Sequence, residues 1–313
     1  HASHEQFPPS ELLEYVQLAE RSGFAAAMCS DHFMPWSDVQ GESGFAWSWL
    51  GAAMARTTLP FGVVNAPGYR YHPAVIAQAA ATLSEMFPGR FWIAVGSGEA
   101  MNEHITGERW PIKAERNARL RECVEIMRAL WRGELVTHDG RVTVEEAKLY
   151  TLPGAPPLVV GAALSVETAG WMGDWADGLI TINQPEGKER EVIEAFRSGG
   201  GTGKPVYLQV HVSWDTSEER ARTSAFDQWR VTAQDSKVLA DLRLPHQFEA
   251  AAKFVRPADM DAGVRISADP QQHIDWLARD LELDLAGVML HNVGRNQREF
   301  IETFGREVLQ RLT

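Results

Sequence analysis

From end to end the chain alternates short apolar runs with amphipathic stretches, and each run stops at a polar or glycine-bearing loop. The runs lie at Ala25–Cys29, Leu59–Val64, Phe91–Val95, Pro157–Gly161, Gly178–Ile182, Val206–Val212 and Leu285–His291. Between them the apolar positions follow the helical period, as in Leu12, Leu13, Val16 and Ala19, or Ile76, Ala80 and Leu83. Unbroken apolar runs read as strands buried on both faces, and a strand–helix succession builds a parallel sheet. Seven strands leave two open edges, whereas a closed barrel has eight. The opening segment His1–Glu5 reads as the loop after an eighth strand. The expectation is therefore an α/β fold, a (β/α)8 TIM barrel with insertions, its first strand missing and native residues preceding His1.

No linker or shift of composition divides residues 1–313, so a single domain is expected. Two excursions interrupt it: a hairpin at 135–149 around Asp139-Gly140, and a lid-like, partly helical insertion at 231–265. Thirty basic against 42 acidic residues give a net charge of −12, which argues against nucleic-acid and anionic-membrane partners. No apolar run approaches the roughly 18 residues a membrane span needs. Cys29 and Cys123 have neither disulfide nor metal spacing and read as buried thiols of a reducing, cytoplasmic compartment; no metal site is expected. Of eleven tryptophans, Trp36, Trp47, Trp49, Trp92 and Trp110 lie near the strand ends, where some should wall an aromatic pocket.

In a βα barrel the C-terminal strand ends meet at one face, where rigid strands hold variable loops. That rule gathers Glu5, Asp31-His32, Asn65, Ser97-Gly98-Glu99, Asn102, Gly161-Ala162-Ala163, Asn183 and His291-Asn292. A neutral imidazole is the side chain poised to take a proton near pH 7, so His32 is the residue to watch.

Met28–Trp36 (MCSDHFMPW), the segment GVVNAPGYRYHPAVIAQAAATL, GRFWIAVGSGEAMNEHITG, the helix NARLRECVEIMRALW and the closing LHNVGRNQREFIETF resemble the bacterial luciferase-like superfamily. Within it they are similar to the deazaflavin-dependent glucose-6-phosphate dehydrogenases. The opening HASHEQFPPS and FAWSWLGAA are closer to a flavin-dependent, FMN-using sister group.

The resemblance implies a barrel with a flavin-type ring at its mouth. It makes His32 the acid/base, Glu99 a second proton-transfer group and Glu5 an acidic active-site residue. Asp31, Trp36, Asn65, Ser97, Gly98, Asn102 and Asn183 would surround the cofactor. Val63-Val64 would carry a cis peptide behind the ring, a bond costing about 3 kcal/mol. Gly161-Ala162-Ala163 would receive the cofactor's phosphate on backbone N–H groups. The phosphate-binding lysines of the sugar-phosphate enzymes have no counterpart around Gly263 and Val264, leaving Lys188, Arg265 and Arg298 as nearby cations.

Three readings stay open. The first is a flavin-dependent oxidoreductase acting on a small organic substrate, with FMN or the deazaflavin coenzyme. The second is a two-component monooxygenase supplied with reduced FMN by a partner reductase, and the third a non-catalytic flavin-binding relative. A homodimer through Trp47, Trp49 and Met54 is also expected.

Overall fold

The computed structural model describes residues 1–312. Helix α1 (Pro9–Arg21) buries Leu12 and Val16, and its N-cap is Pro8. Pro9 suits its first turn because the missing N–H has no partner there anyway. Next come β1 (Ala27–Ser30), α2 (Ala46–Arg56), β2 (Phe61–Asn65), α3 (Pro73–Met86) and β3 (Phe91–Val95). The one-turn α4 (Ala100–Glu103) and the long α5 (Lys113–Trp131) lead to the hairpin β4 (Val136–Asp139) and β5 (Thr143–Ala147). After it come β6 (Leu158–Ala162), α6 (Val166–Gly173), β7 (Gly178–Ile182), α7 (Glu189–Phe196), β8 (Val206–Ser213) and α8 (Glu218–Trp229). A helical excursion carries α9 (Ser236–Asp241) and α10 (Pro245–Ala251), and β9 (Arg265–Ile266), α11 (Pro270–Leu281), β10 (Gly287–Asn292) and α12 (Gln297–Thr303) complete the chain.

The strands form one parallel sheet in the order β1-β2-β3-β6-β7-β8-β10, with the two-residue β9 joined to β8. All seven expected strands are present; β9 escapes a pattern reading because two residues carry no periodicity. The sheet curls, with helices around it, in the manner of a βα barrel. Its terminal strands approach each other around His1 and Ala2. The amide of Ala2 donates to the Met28 carbonyl at 2.8 Å, and Ala2 pairs with Cys29. The amino group of His1 donates to the Leu290 carbonyl at 2.7 Å.

Strand alternation sorts the core into two. Outward residues such as Phe61, Val63, Ile93 and Leu179 pack under the helices, whereas Met28, Trp92, Val160, Ile180 and Met289 fill the barrel. Trp92 and Tyr207 stack across the interior, 4.9 Å apart and nearly parallel. Gly62, level with Trp92 in the ladder, makes this possible: a Cβ there would lie 2.0 Å from the indole. Higher on the β1–β3 side the interior positions turn smaller, with Ser30, Val64 and Ala94 in register and Ala162 beyond on β6, whereas β8 and β10 carry His211 and His291 there.

Two expectations are corrected. The Val63–Val64 peptide is trans, as are all peptides among the described residues. β2 runs through it in unbroken register with both neighbours, Val63 beside Cys29 and Ile93, Val64 beside Ser30 and Ala94, so nothing compels the costlier isomer. Nor do Trp47, Trp49 and Met54 offer a dimer surface. All three are buried beneath α2 within the chain's own core, and Phe45, Val75 and Met86 are the exposed apolar residues on that side.

Candidate active site

His32 follows β1 by two residues, and its ring stands between two carboxylates. Nδ1 lies 2.9 Å from Oε1 of Glu5, and Nε2 lies 3.9 Å from Oε2 of Glu99. Glu5 is anchored from its other oxygen by the Ser3 hydroxyl at 2.9 Å. Burial works to raise the Glu5 carboxyl, but the charge and hydrogen bond of His32 prevail and hold it below the usual range. Burial would likewise depress His32; the Glu5 charge outweighs it and raises the imidazole. Glu99 has no such partner in contact, and burial raises it. The 3.9 Å gap at Nε2 exceeds a hydrogen bond, and Oε2 of Glu99 is buried without a hydrogen-bond partner among the described residues. One end of the imidazole is thus fixed and the other left open to a third group, the arrangement a general base requires.

The loops that carry these residues are clipped together. Asn102 Oδ1 accepts from the Phe33 amide at 2.8 Å, tying α4 to the His32 loop. The His32 carbonyl accepts from Ser43. Trp36 meets the His32 ring edge-on at 5.3 Å and Phe248 of α10 at the same distance, bringing the helical excursion to the site. The structure therefore joins Glu5, His32, Trp36, Glu99 and Asn102 in one place.

Asp31 plays a different part from its neighbour. Its buried carboxylate accepts from Trp47 at 3.1 Å, Asn65 at 2.9 Å and Tyr71 at 3.4 Å, and pairs with Arg70 at 3.3 Å. Arg70 also donates to the Asp31 carbonyl, while its own amide donates to Glu103. Burial raises Glu103 to about 7. Sequence reasoning missed Arg70, Tyr71 and Glu103; the available signal was the basic–aromatic cluster Tyr69-Arg70-Tyr71 after a strand end.

Other expected positions fall in distinct places. Val63 faces outward into the core and Val64 inward. Gly98 has φ +80, and a side chain there would press on Glu103, Ala66 and Trp110, so the Ser97-Gly98 turn needs glycine. Gly161 backs onto Met172 of α6, and the Ala163 amide donates to Ile180. Amides free to meet a phosphate are therefore sought beyond Ala163, toward Leu164 and Ser165. Asn183 is occupied in clipping: its amide nitrogen donates to Gly263 and its oxygen accepts from the His211 amide.

The sequence profile of the luciferase-like monooxygenase family matches residues 1–285. The chain belongs to that family and is a luciferase-like oxidoreductase. It is 36% identical to the F420-dependent glucose-6-phosphate dehydrogenase of Microbacterium testaceum over 332 aligned positions, covering 99% of this chain and 96% of that one. The enzyme of the same name from Mycolicibacterium smegmatis is 35% identical over 328 positions, with the same coverage. Among solved structures, an F420-dependent secondary alcohol dehydrogenase in complex with an F420–acetone adduct superposes with a TM-score of 0.92 at 29% identity, covering all of this chain and 97% of that one. A monooxygenase from Streptomyces bottropensis shares the fold, with a TM-score of 0.73 at 16% identity over 98% and 96% of the two chains.

Proposed function

We propose that this oxidoreductase is a deazaflavin-dependent dehydrogenase that oxidises the carbinol of a small organic substrate. The observation that carries the reading is the Glu5–His32–Glu99 array, an acid–base system anchored on a buried carboxylate with one free imidazole nitrogen. The names of its relatives agree with it. One side of the barrel mouth suits a flat ring: beyond Trp92 the inward positions of β1, β2, β3 and β6 are Ser30, Val64, Ala94 and Ala162. Val64, Ser97, Gly98, Asn102 and the turn after β6 are the residues to hold such a cofactor, and Trp36 walls the substrate side. When bound, the coenzyme supplies a two-electron acceptor for the hydride leaving the carbinol carbon.

The protein supplies the rest. Nε2 of His32 takes the hydroxyl proton, and the new positive charge is balanced by Glu5 at Nδ1. Glu99, raised by burial, is the second proton carrier at the same face. The dehydrogenase reading ranks above a two-component monooxygenase fed by a flavin reductase, since oxygen insertion makes no call on so strongly paired a base. FMN, rather than the deazaflavin coenzyme F-420, would go with that second reading. A homodimer through Phe45, Val75 and Met86, beside an apolar cleft between α2 and α3, and a reducing cellular compartment belong to the same proposal.

The test is to titrate the purified protein with each coenzyme and follow bound chromophore, then add secondary alcohols. Tight F-420 binding and bleaching by an alcohol are expected. Binding of FMN alone, with oxygen consumed and no alcohol oxidised, would overturn the reading.

A further inference from the structure

His211 and His291 are register partners on β8 and β10. They lie four and two residues mouthward of Tyr207 and Met289, on the same inward face of the barrel. Their rings are 5.4 Å apart, and Trp229 at the end of α8 packs against both, at 5.3 and 4.7 Å. Both histidines are buried. Among the described residues neither ring nitrogen of His291 has a partner, and the His211 ring is met only by the Gln209 amide at 3.1 Å from Nε2. A neutral imidazole carries one donor and one acceptor, so the pair holds unspent hydrogen-bonding capacity of both kinds in a dry place.

Burial holds His211 down at about 4. It also holds His291 well below the ordinary imidazole value, with the charges of His211, the amino terminus and His32 adding to the effect, so both rings are uncharged at neutral pH. Trp229 shares an apolar group with Trp36, the residue that flanks His32, so pair and base adjoin one wall. The arginines of the strand-end loops are committed elsewhere: Arg70 to Asp31, Arg265 to Asp280, and Arg295 to the Phe7 ring and the Gln40 carbonyl. An anion would find poor company here, whereas a hydroxyl or carbonyl can both give and take a hydrogen bond.

We propose that His211 and His291, backed by Trp229, form a subsite for a hydroxyl or carbonyl group of a non-ionic substrate, beyond the carbinol that reacts at His32. This rests on the dehydrogenase reading above. The nitrogens of His291 are shielded by Trp229 and by the His1 ring at 4.3 Å, so a ligand that reaches them displaces one of those rings.

The experiment compares isopropanol with propylene glycol, which adds one hydroxyl, on the coenzyme-loaded enzyme and its His211→Phe and His291→Phe variants. The wild type should prefer the diol. Each variant should lose kcat/KM for the diol about tenfold more than for isopropanol, since a site built for a hydroxyl loses discrimination with its polar atom. Gln variants, which keep a donor and an acceptor, should recover part of the preference and guard against misfolding. Equal losses on both alcohols, a weakened coenzyme Kd without a diol-specific effect, or a wild type that prefers glucose 6-phosphate would each overturn the subsite. If the wild type oxidises no alcohol, the dehydrogenase reading has failed. The subsite is then judged by NMR: diol-dependent shifts of the His211 and His291 ring signals uphold it, and unmoved signals end it.

Discussion

Glu5 and Glu99 face opposite nitrogens of one imidazole and are driven in opposite directions, Glu5 below the usual carboxylate range and Glu99 above it. One side chain is thereby driven toward the anion and the other toward the neutral acid, although both are glutamates within reach of His32. Contact distance decides the difference: at 2.9 Å the His32 charge overcomes burial, and at 3.9 Å it does not.

That asymmetry sets the pH profile. His32 must be neutral to accept a proton, so kcat/KM for alcohol oxidation should fall as pH drops through the raised imidazole value. Glu5→Gln removes the charge that raises it. The acid limb should then move to lower pH while kcat falls by about 10- to 100-fold, because a weaker base takes the proton less readily. An unmoved acid limb in that variant would show that His32 is not the group being read.

Acid should also unfold the protein through its buried neutral histidines. Burial lowers His4 and His211 to about 4. Below pH 6.5 the unfolded chain therefore binds protons that the folded chain refuses, and stability is lost as pH falls from there toward 4. Each group contributes up to roughly 3 kcal/mol over that window. Denaturant midpoints measured between pH 7 and pH 4.5 check the slope, which His4→Phe should flatten.

Arg70→Met should cost about 3–5 kcal/mol, since it strands the Asp31 carboxylate in the interior. Burial already pushes that carboxyl upward. A double variant with Asp31→Asn should be more stable than Arg70→Met alone. Chemical denaturation of the three variants measures the coupling, and simple additivity would deny the pair its anchoring role.

Assembly has its own test. Val75→Glu places a charge among Phe45, Val75 and Met86 without disturbing the core, because Val75 is 55% exposed. Sedimentation should show a dimer for the wild type and a monomer for the variant; a variant that remains dimeric moves the interface elsewhere.

The barrel was legible because its strands are unbroken apolar runs, and the candidate site because chemistry collects at their ends. Glu5, His32, Trp36, Glu99 and Asn102 could be placed together from that rule alone. What stayed hidden depends on packing in three dimensions. Nothing local distinguishes a tryptophan buried under α2 from one on its surface, so Trp47, Trp49 and Met54 read as interface. The cis expectation at Val63–Val64 came from resemblance, and the ladder at those residues runs straight through. Nothing in the local sequence marks Arg70 as a partner of Asp31, 39 positions earlier; only the fold brings the two together.

The stack of Trp92 on Tyr207 plugs the lower interior of the barrel. On the reading proposed above, a coenzyme ring seated over that plug would have the mouth as its way in and out. It would then enter before the substrate and leave after the product, so that turnover would be ordered by architecture.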